Sequence, residues 1–230
     1  MLMLYTKSQM ISGIKSLASA LGDLNDRVVY VGGAVAGLYA DDPAAPESRP
    51  TKDIDIVLEI TSALKLEELR KELARRGIYF AKDSNILCRF TYRNIFVDVL
   101  STQEVGWAPS NPWFKPGFRE PVIYPIDELK IRIMPLPYFL AAKYTAFFDR
   151  GGDARTSHDF EDIVYLLDNR KTLVADILQA DQTVKDFLIA QFRELLFVSS
   201  LQEAVMAHLE PSTQIQRYAM LTRKLKEIIK

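Results

Sequence analysis

The amino-acid sequence predicts an α/β (α+β) fold, in which a mixed sheet with helices packed on it is followed by a helical carboxyl-terminal domain. Up to about residue 134, short apolar runs that suit strands alternate with stretches in which apolar residues recur at every third or fourth position. After Pro135 and Pro137, the helical spacing is almost uninterrupted. The predicted domains are therefore residues 1–134 and residues 135–230.

Composition excludes several classes of protein. The 230 residues, 48% of them apolar, are enough for the core of one large domain or two small ones. With 29 basic and 30 acidic residues the net charge is -1, so no global field attracts nucleic acid or an anionic membrane. The single cysteine, Cys88, excludes an intrachain disulfide and is consistent with a reducing compartment. No stretch of 18 apolar residues occurs, so we expect a cytoplasmic protein that does not span a membrane.

The amino-terminal half contains two predicted amphipathic helices and a short strand between them. Apolar residues recur at helical spacing before Gly22 and again before Gly77, and each glycine is expected to end its helix. Residues 28–31 form an apolar run that predicts a buried strand. The helical positions are Met10, Ile14, Leu17 and Leu21 in the first helix and Leu66, Leu69 and Leu73 in the second.

A predicted hairpin follows the second helix. Apolar residues alternate over residues 86–92, which predicts a strand with one apolar face, and the Arg-Asn pair after them suits a turn. The return strand, residues 95–100, carries Asp98 in an otherwise apolar sequence, where a carboxylate is costly unless it has a partner. Residues 101–128 have no clear period, and we interpret them as an ordered loop that borders the substrate.

The carboxyl-terminal half predicts four helices. The first follows the two prolines and ends at Gly151. Ser157 or Thr156 is expected to cap the second. The last two are expected at about residues 182–208 and 212–229.

Two neighbouring acids carry the predicted chemistry. Asp53 and Asp55 lie one residue apart on the apolar run Lys-Asp-Ile-Asp-Ile-Val. Alternate side chains of an extended strand share a face, so both carboxylates point the same way while Ile54 points into the core. Two such charges repel each other unless a cation lies between them. Mg2+ (or Mn2+) is the expected cofactor, because these ions take oxygen ligands and combine carboxylates with substrate phosphates.

A phosphate-binding turn is predicted before these acids. Gly32 and Gly33 let the backbone turn tightly and approach a ligand, and the helix that starts near Ala34 would present free N–H groups to phosphate. Asp98 supplies a third carboxylate, which binds a second metal ion or accepts the proton of the attacking hydroxyl. Lys52 directly precedes the acids and is a candidate contact for phosphate or acceptor, although a solvated loop explains it equally well.

In this order, VGGAV, KDIDIV and FVDVL resemble the nucleotidyltransferase superfamily related to DNA polymerase beta, over roughly residues 27–100. The pattern of that superfamily is Gly-Gly or Gly-Ser after a hydrophobic residue, a helix, Asp-x-Asp, and a later aspartate on a strand. The resemblance implies transfer of a nucleoside monophosphate from an NTP to an acceptor, with release of pyrophosphate. It also implies that Asp53, Asp55 and Asp98 are the catalytic metal ligands.

Two branches of that superfamily compete. VGGAV with KDIDI looks like the CCA-adding and poly(A) polymerases, which continue with Arg-Asp where this chain has Ala36-Gly37. LPYFLAAKYTAFFDRG followed by HDFEDIVYLL is similar to the AbiEii-type nucleotidyltransferases, which are toxin components of bacterial toxin-antitoxin and phage-defence systems. This resemblance implies a cognate antitoxin, a catalytic and nucleotide-binding role for Lys143, and a catalytic role for Asp159. His158 stands where the family usually has arginine.

Other interpretations stay open. Asp98 can be a structural residue satisfied by backbone donors, Lys143 can form a salt bridge at the edge of the core, and Asp159 can stabilise a helix amino terminus. The acceptor can be tRNA, a protein or a small molecule, so an aminoglycoside-type or CCA-like transferase is an alternative enzyme. A nucleotide-binding or antitoxin-like protein without turnover is the alternative outside enzymes.

Overall fold

The computed structural model describes residues 7–82 and 84–230, which form two compact units. The first unit consists of the described residues up to Gly37 together with Arg49–Pro135. The second consists of Leu38–Ser48 together with Leu136–Lys230. Residues 38–48 have no periodic pattern that associates them with the carboxyl-terminal helices, which is why the predicted domain boundaries do not contain this excursion.

The first unit is built on a mixed sheet with seven strands in the described residues, in the order β3-β4-β5-β2-β1-β7-β6. β2 runs parallel to β5 and β1 runs parallel to β7, whereas the other neighbouring strands are antiparallel. A mixed sheet with flanking helices confirms the predicted fold class. The strands are β1 (Val29–Val31), β2 (Asp53–Leu58), β3 (Tyr79–Phe80), β4 (Arg89–Tyr92), β5 (Ile95–Ser101), β6 (Val122–Ile126) and β7 (Leu129–Ile133).

Capping residues mark some of the helix ends in the first unit. Ser62 caps one of them by accepting a hydrogen bond from the Lys65 amide at 3.3 Å, and Gly22 and Gly77 follow helix ends with positive φ. Both amphipathic helices predicted here are confirmed. The helices are α1 (Lys7–Leu21), a 3-10 segment (Gly22–Arg27), α2 (Gly33–Ala36), α3 (Ala63–Arg75) and α4 (Phe114–Arg119).

One face of the sheet is covered by α1. At Gly13 a Cβ atom would lie 2.7 Å from Ile95 Cδ1 and 3.7 Å from Ile54 Cδ1, so the helix backbone packs directly on these side chains. Strand alternation places the neighbours of Ile54, which are Asp53 and Asp55, on the opposite face. The side of the sheet that carries the acids is therefore the one that α1 leaves uncovered.

The prediction of a loop over residues 101–128 is wrong in part, because this stretch contains α4 and β6. Pro125 lies within β6, which is an edge strand, where a missing N–H donor costs no ladder hydrogen bond. Trp107, in the segment that was expected to border the substrate, does not lie on the face of the sheet that carries the acids. It packs against Phe90 with ring centroids 5.4 Å apart, and Phe90 points away from the side chain of its neighbour Arg89.

The second unit is helical. Ser157 caps α6 by accepting a hydrogen bond from the Phe160 amide, and Gly151, with φ of 60°, follows α5, both as predicted. The helix predicted at 182–208 is interrupted at Val198, whose backbone is extended. No helix in the described parts of the chain is both long and apolar enough to cross a membrane. The helices are α5 (Leu136–Arg150), α6 (His158–Asn169), α7 (Leu173–Leu178), α8 (Gln182–Phe197), α9 (Ser199–Ala207) and α10 (Gln214–Ile228).

Candidate active site

A row of charged side chains crosses three strands of the first unit. Asp55 on β2 pairs with Asp98 on β5, and Asp98 pairs with Arg89 on β4. Directly paired residues on neighbouring strands point to the same face, and Asp53 shares that face because it lies two residues before Asp55. The sheet therefore brings the three predicted acids together, and it adds an arginine that the sequence-based prediction did not contain.

Arg89 connects two of the three acids. Its Nε and Nη2 donate hydrogen bonds to Oδ1 and Oδ2 of Asp98, each at 2.7 Å, and Nη2 also donates to Oδ2 of Asp53 at 2.7 Å. The hydrogen bond to Asp98 raises the pKa of the Arg89 guanidinium above its usual value, and the nearby Asp53 and Asp55 charges act in the same direction. A carboxylate on an apolar strand needs a partner, and for Asp98 that partner is a charged side chain.

Asp53 is held at both oxygens and is the more accessible of the two acids bound to Arg89. Thr51 Oγ1 donates to Asp53 Oδ1 at 3.0 Å, while Arg89 binds Oδ2. The side chain of Asp53 is 26% exposed, compared with 10% for Asp98. Asp53 is therefore more open to a ligand from solvent than Asp98 is.

Gly32 and Gly33 form a turn that lies against this row. The φ of Gly32 is 73°, and a Cβ atom on this residue would overlap Asp55 Oδ2. A Cβ atom on Gly33 would lie 2.6 Å from Nη2 of Arg49, so a second guanidinium approaches the same turn. At position 32, only a residue without a side chain allows the backbone to pass so close to Asp55.

The helix predicted after the glycines is a single turn, α2, in which Ala34 is buried. The chain leaves the first unit at Gly37, so the helix has no length over which peptide dipoles accumulate. Phosphate binding at this turn stays a prediction, with backbone N–H groups and Arg49 as the nearby donors. Lys52 is exposed, and its contact with phosphate stays a prediction.

The acids fit a hard divalent cation in their chemistry. Carboxylate oxygens on one face of a sheet are the ligands that Mg2+ and Mn2+ prefer. In the residues that the structure describes, no three carboxylate, imidazole or thiol groups are arranged to hold a metal ion, and Arg89 binds the oxygens of Asp53 and Asp98 instead. Metal binding by Asp53, Asp55 and Asp98 stays a prediction.

A second charged cluster lies within the helical unit. Lys143 on α5 forms ion pairs with Asp159 at 3.0 Å and with Asp162 at 2.7 Å, both on α6. All three side chains are at most 10% exposed. Arg150, at the end of α5, binds the other oxygen of Asp159. The salt bridge considered for Lys143 is thus present, and its contact with a nucleotide stays a prediction.

Asp162 and Arg150 are absent from the sequence-based list of candidates. Asp162 could have been found, since it lies in the same HDFED segment as Asp159 and one helical turn after it. Arg150 carries no such signal. His158, at the position of the usual arginine, is exposed and contacts Glu161 at 3.3 Å, so Arg150 rather than residue 158 provides the guanidinium at Asp159.

The fold corresponds to that of a nucleotidyltransferase. A crystal structure of an antigenic nucleotidyltransferase-like protein from Paracoccidioides brasiliensis superposes with a TM-score of 0.53, covering 93% of this chain and 100% of that chain. The two sequences are 17% identical, so this similarity establishes the fold alone. Among curated proteins, none matches this sequence.

The family model described as nucleotidyl transferase AbiEii toxin, type IV TA system, matches residues 32–221. The chain belongs to this AbiEii nucleotidyltransferase family. Its enzyme class is therefore that of a nucleotidyltransferase, as predicted, and the AbiEii branch is favoured over the CCA-adding branch. The matched range begins at Gly32 and includes the three acids of the sheet as well as Lys143 and Asp159.

Proposed function

We propose that this protein is a metal-dependent nucleotidyltransferase of a toxin-antitoxin system, which moves a nucleoside monophosphate from an NTP to a hydroxyl of tRNA or protein. The observation that carries the proposal is the common face of Asp53, Asp55 and Asp98 beside the Gly32 turn. Carboxylates on one face would hold Mg2+ or Mn2+, and the turn would receive the phosphates.

In the proposed reaction, the residues of the first unit would have separate roles. Asp53 and Asp55 would hold the metal, which when bound supplies positive charge to the triphosphate and to the attacking oxygen. Arg49 and the backbone of the glycine turn would bind the phosphates, because a guanidinium matches their geometry. Asp98 would accept the proton of the attacking hydroxyl while the hydroxyl oxygen forms a bond to the α-phosphorus of the NTP. The bond from that phosphorus to the bridging oxygen breaks, and pyrophosphate leaves.

The type IV toxin-antitoxin description of the family supports a cognate antitoxin as a partner. A net charge of -1 supplies no general attraction for RNA, so a tRNA acceptor would need a local basic surface. A small hydroxylated molecule, as used by aminoglycoside-type enzymes, is the alternative acceptor. Separate assays with tRNA, protein or small hydroxylated molecules as the acceptor distinguish these alternatives.

Label transfer tests the proposal. The full chain is incubated with α-labelled NTPs, Mg2+ or Mn2+, and pools of tRNA, protein or small hydroxylated molecules. We expect label on a macromolecule, and we expect Asp53→Asn to abolish it. Asp26→Asn, at an exposed aspartate of the same unit, makes the same chemical change and should keep the activity. Tight NTP binding without transfer to any acceptor would show a nucleotide-binding protein instead.

A further inference from the structure

Arg89 occupies the carboxylates that the proposed function assigns to a metal ion. Its guanidinium donates to both oxygens of Asp98 and to Oδ2 of Asp53. It also lies 4.7 Å from the centroid of the Phe96 ring, and Phe96 pairs with Asp53 across β2 and β5. Two acids and one aromatic ring thus fix the guanidinium between Asp53 and Asp98.

Arg89 cannot release the carboxylate oxygens of Asp53 and Asp98 by losing its proton. An arginine stays charged at any physiological pH. The Arg89 side chain is 13% exposed, so water screens its pairs with Asp53 and Asp98 only in part. Only a movement of the side chain can release the carboxylate oxygens.

We propose that Arg89 is an internal counter-cation that competes with the divalent cation for Asp53 and Asp98, and that nucleotide and metal displace it together. A metal ion on these oxygens would lie within a few ångströms of the guanidinium, and the two positive charges would repel each other. The phosphates of an incoming NTP offer Arg89 new acceptors of matching geometry. This inference rests on the proposed function, since it concerns the same acids.

The proposal predicts that metal binds weakly without nucleotide and that loss of Arg89 removes the competition. Mn2+ binding to the full chain is measured by the electron paramagnetic resonance signal of the free ion, with no nucleotide present. We expect Arg89→Met to bind Mn2+ at least ~10-fold more tightly than the unmodified chain, because it frees oxygens that now accept charge-assisted hydrogen bonds. The double variant Arg89→Met, Asp53→Asn should lose this gain.

Arg75→Met is the matched control. Arg75 is exposed on α3, and its substitution changes the net charge by the same amount without touching the acids. We expect the Mn2+ affinity of this variant to equal that of the unmodified chain. Equal Mn2+ affinity of Arg89→Met and Arg75→Met would overturn the proposal.

A measurement on the unmodified chain remains decisive if Arg89→Met does not fold. The side-chain Nε–H signal of Arg89 is followed by NMR with arginine labelled at nitrogen. Mg2+ alone should leave its slow exchange with water unchanged, whereas Mg2+ with a non-hydrolysable NTP should accelerate it. An unchanged exchange rate in the ternary complex would contradict the displacement of Arg89.

The two proposals fail in different ways. If the displacement idea alone is wrong, Asp53-dependent label transfer persists while Mn2+ affinity does not respond to Arg89. If the proposed function is wrong, no Asp53-dependent label transfer occurs, whatever the Mn2+ affinities of the variants are.

Discussion

Among single residues, Gly32 has the most demanding conformation near the acids. Its φ of 73° with ψ of -171° lies in a region that is nearly restricted to glycine. We expect Gly32→Ala to lower the free energy of unfolding by more than the ~1–3 kcal/mol that backbone strain alone costs. The added cost comes from the overlap of the new Cβ atom with Asp55 Oδ2. Urea unfolding followed by circular dichroism measures it.

Gly77→Ala separates strain from overlap. Gly77 is in the same unit and has a φ of 78°, but no described atom lies within 4 Å of a Cβ atom placed there. This variant should lose only the strain energy. If Gly32→Ala and Gly77→Ala are destabilised equally, the close approach of Asp55 does not constrain residue 32.

We predict that removal of the Tyr144 hydroxyl does not destabilise the protein. This hydroxyl is buried and has no hydrogen-bond partner in the part of the chain that the structure describes. Leaving a buried polar group unsatisfied costs roughly 1–3 kcal/mol, so Tyr144→Phe should leave the free energy of unfolding unchanged or raise it. Tyr30→Phe is the matched control. The Tyr30 hydroxyl donates to Asn25 Oδ1 at 2.9 Å, so that variant should lose about 1 kcal/mol.

The same phenol determines a response to alkaline pH. Burial raises the pKa of Tyr144 above its ordinary value of 10.0. The unfolded chain then releases this proton at a lower pH than the folded chain does, so the contribution to stability is present below about pH 10 and is lost above it. Tyr144→Phe should decline less between pH 9 and pH 11, measured as the urea midpoint. An identical decline in both proteins would show that Tyr144 does not contribute.

The acids of the site were predictable from the sequence, but Arg89 was predicted only as part of a strand. Alternation places Asp53 and Asp55 on one face without knowledge of the fold. The pairing of Arg89 with Asp98 also has a signal, because a two-residue turn at Arg93 and the next residue fixes the register of the hairpin. The pairing of Asp55 with Asp98 has none, since a parallel register depends on tertiary packing.

At the scale of elements, the contact between α5 and α6 depends on Lys143. The substitution Lys143→Met would leave Asp159 and Asp162 without their shared cation, and the side chain of Asp162 is 2% exposed. Removal of one partner from a buried ion pair costs about 3–5 kcal/mol. We expect a loss of that size in the free energy of unfolding, measured by urea denaturation.

Arg150→Met is the control for this prediction. Arg150 binds the same Asp159, but its side chain is 71% exposed, so the pair is worth less than about 1 kcal/mol. Comparable destabilisation by both variants would mean that burial does not distinguish the two cations. A large effect on label transfer without a loss of stability would instead support the predicted nucleotide contact of Lys143.

Helices whose apolar residues recur at regular spacing were predicted well. Elements whose structure depends on pairing or packing with other elements were not. Both amphipathic helices around β1 and the first two helices after Pro135 follow from spacing and caps. α4 contains Pro116 and Gly117, and β6 contains Pro125, so local preference opposes their actual structure. Pairing with β7 determines β6, and that information lies outside the segment.

At the scale of the whole molecule, the chain enters the helical unit earlier than its periodicity indicates. The amides of Asp41 and Asp42 both donate to the Asn169 carbonyl at 3.2 Å, at the end of α6. The Asp41 carboxylate accepts from the Lys171 amide at 2.5 Å, and the Tyr165 hydroxyl donates to the Pro46 carbonyl at 3.1 Å. These bonds join residues 38–48 to helices more than a hundred positions later, which no local pattern reports.

The contact between residues 38–48 and α6 predicts which backbone amides lose protection from hydrogen exchange together. Amides that belong to one cooperative unit share its opening free energy in native-state hydrogen exchange. Because Lys143→Met weakens the contact between α5 and α6, we expect the protection of Asp41 and Asp42 to fall in parallel with that of Leu166 and Leu167 on α6. Arg150→Met should leave all four amides nearly unchanged. If α6 loses protection while Asp41 and Asp42 keep theirs, residues 38–48 do not fold cooperatively with the helices that they contact.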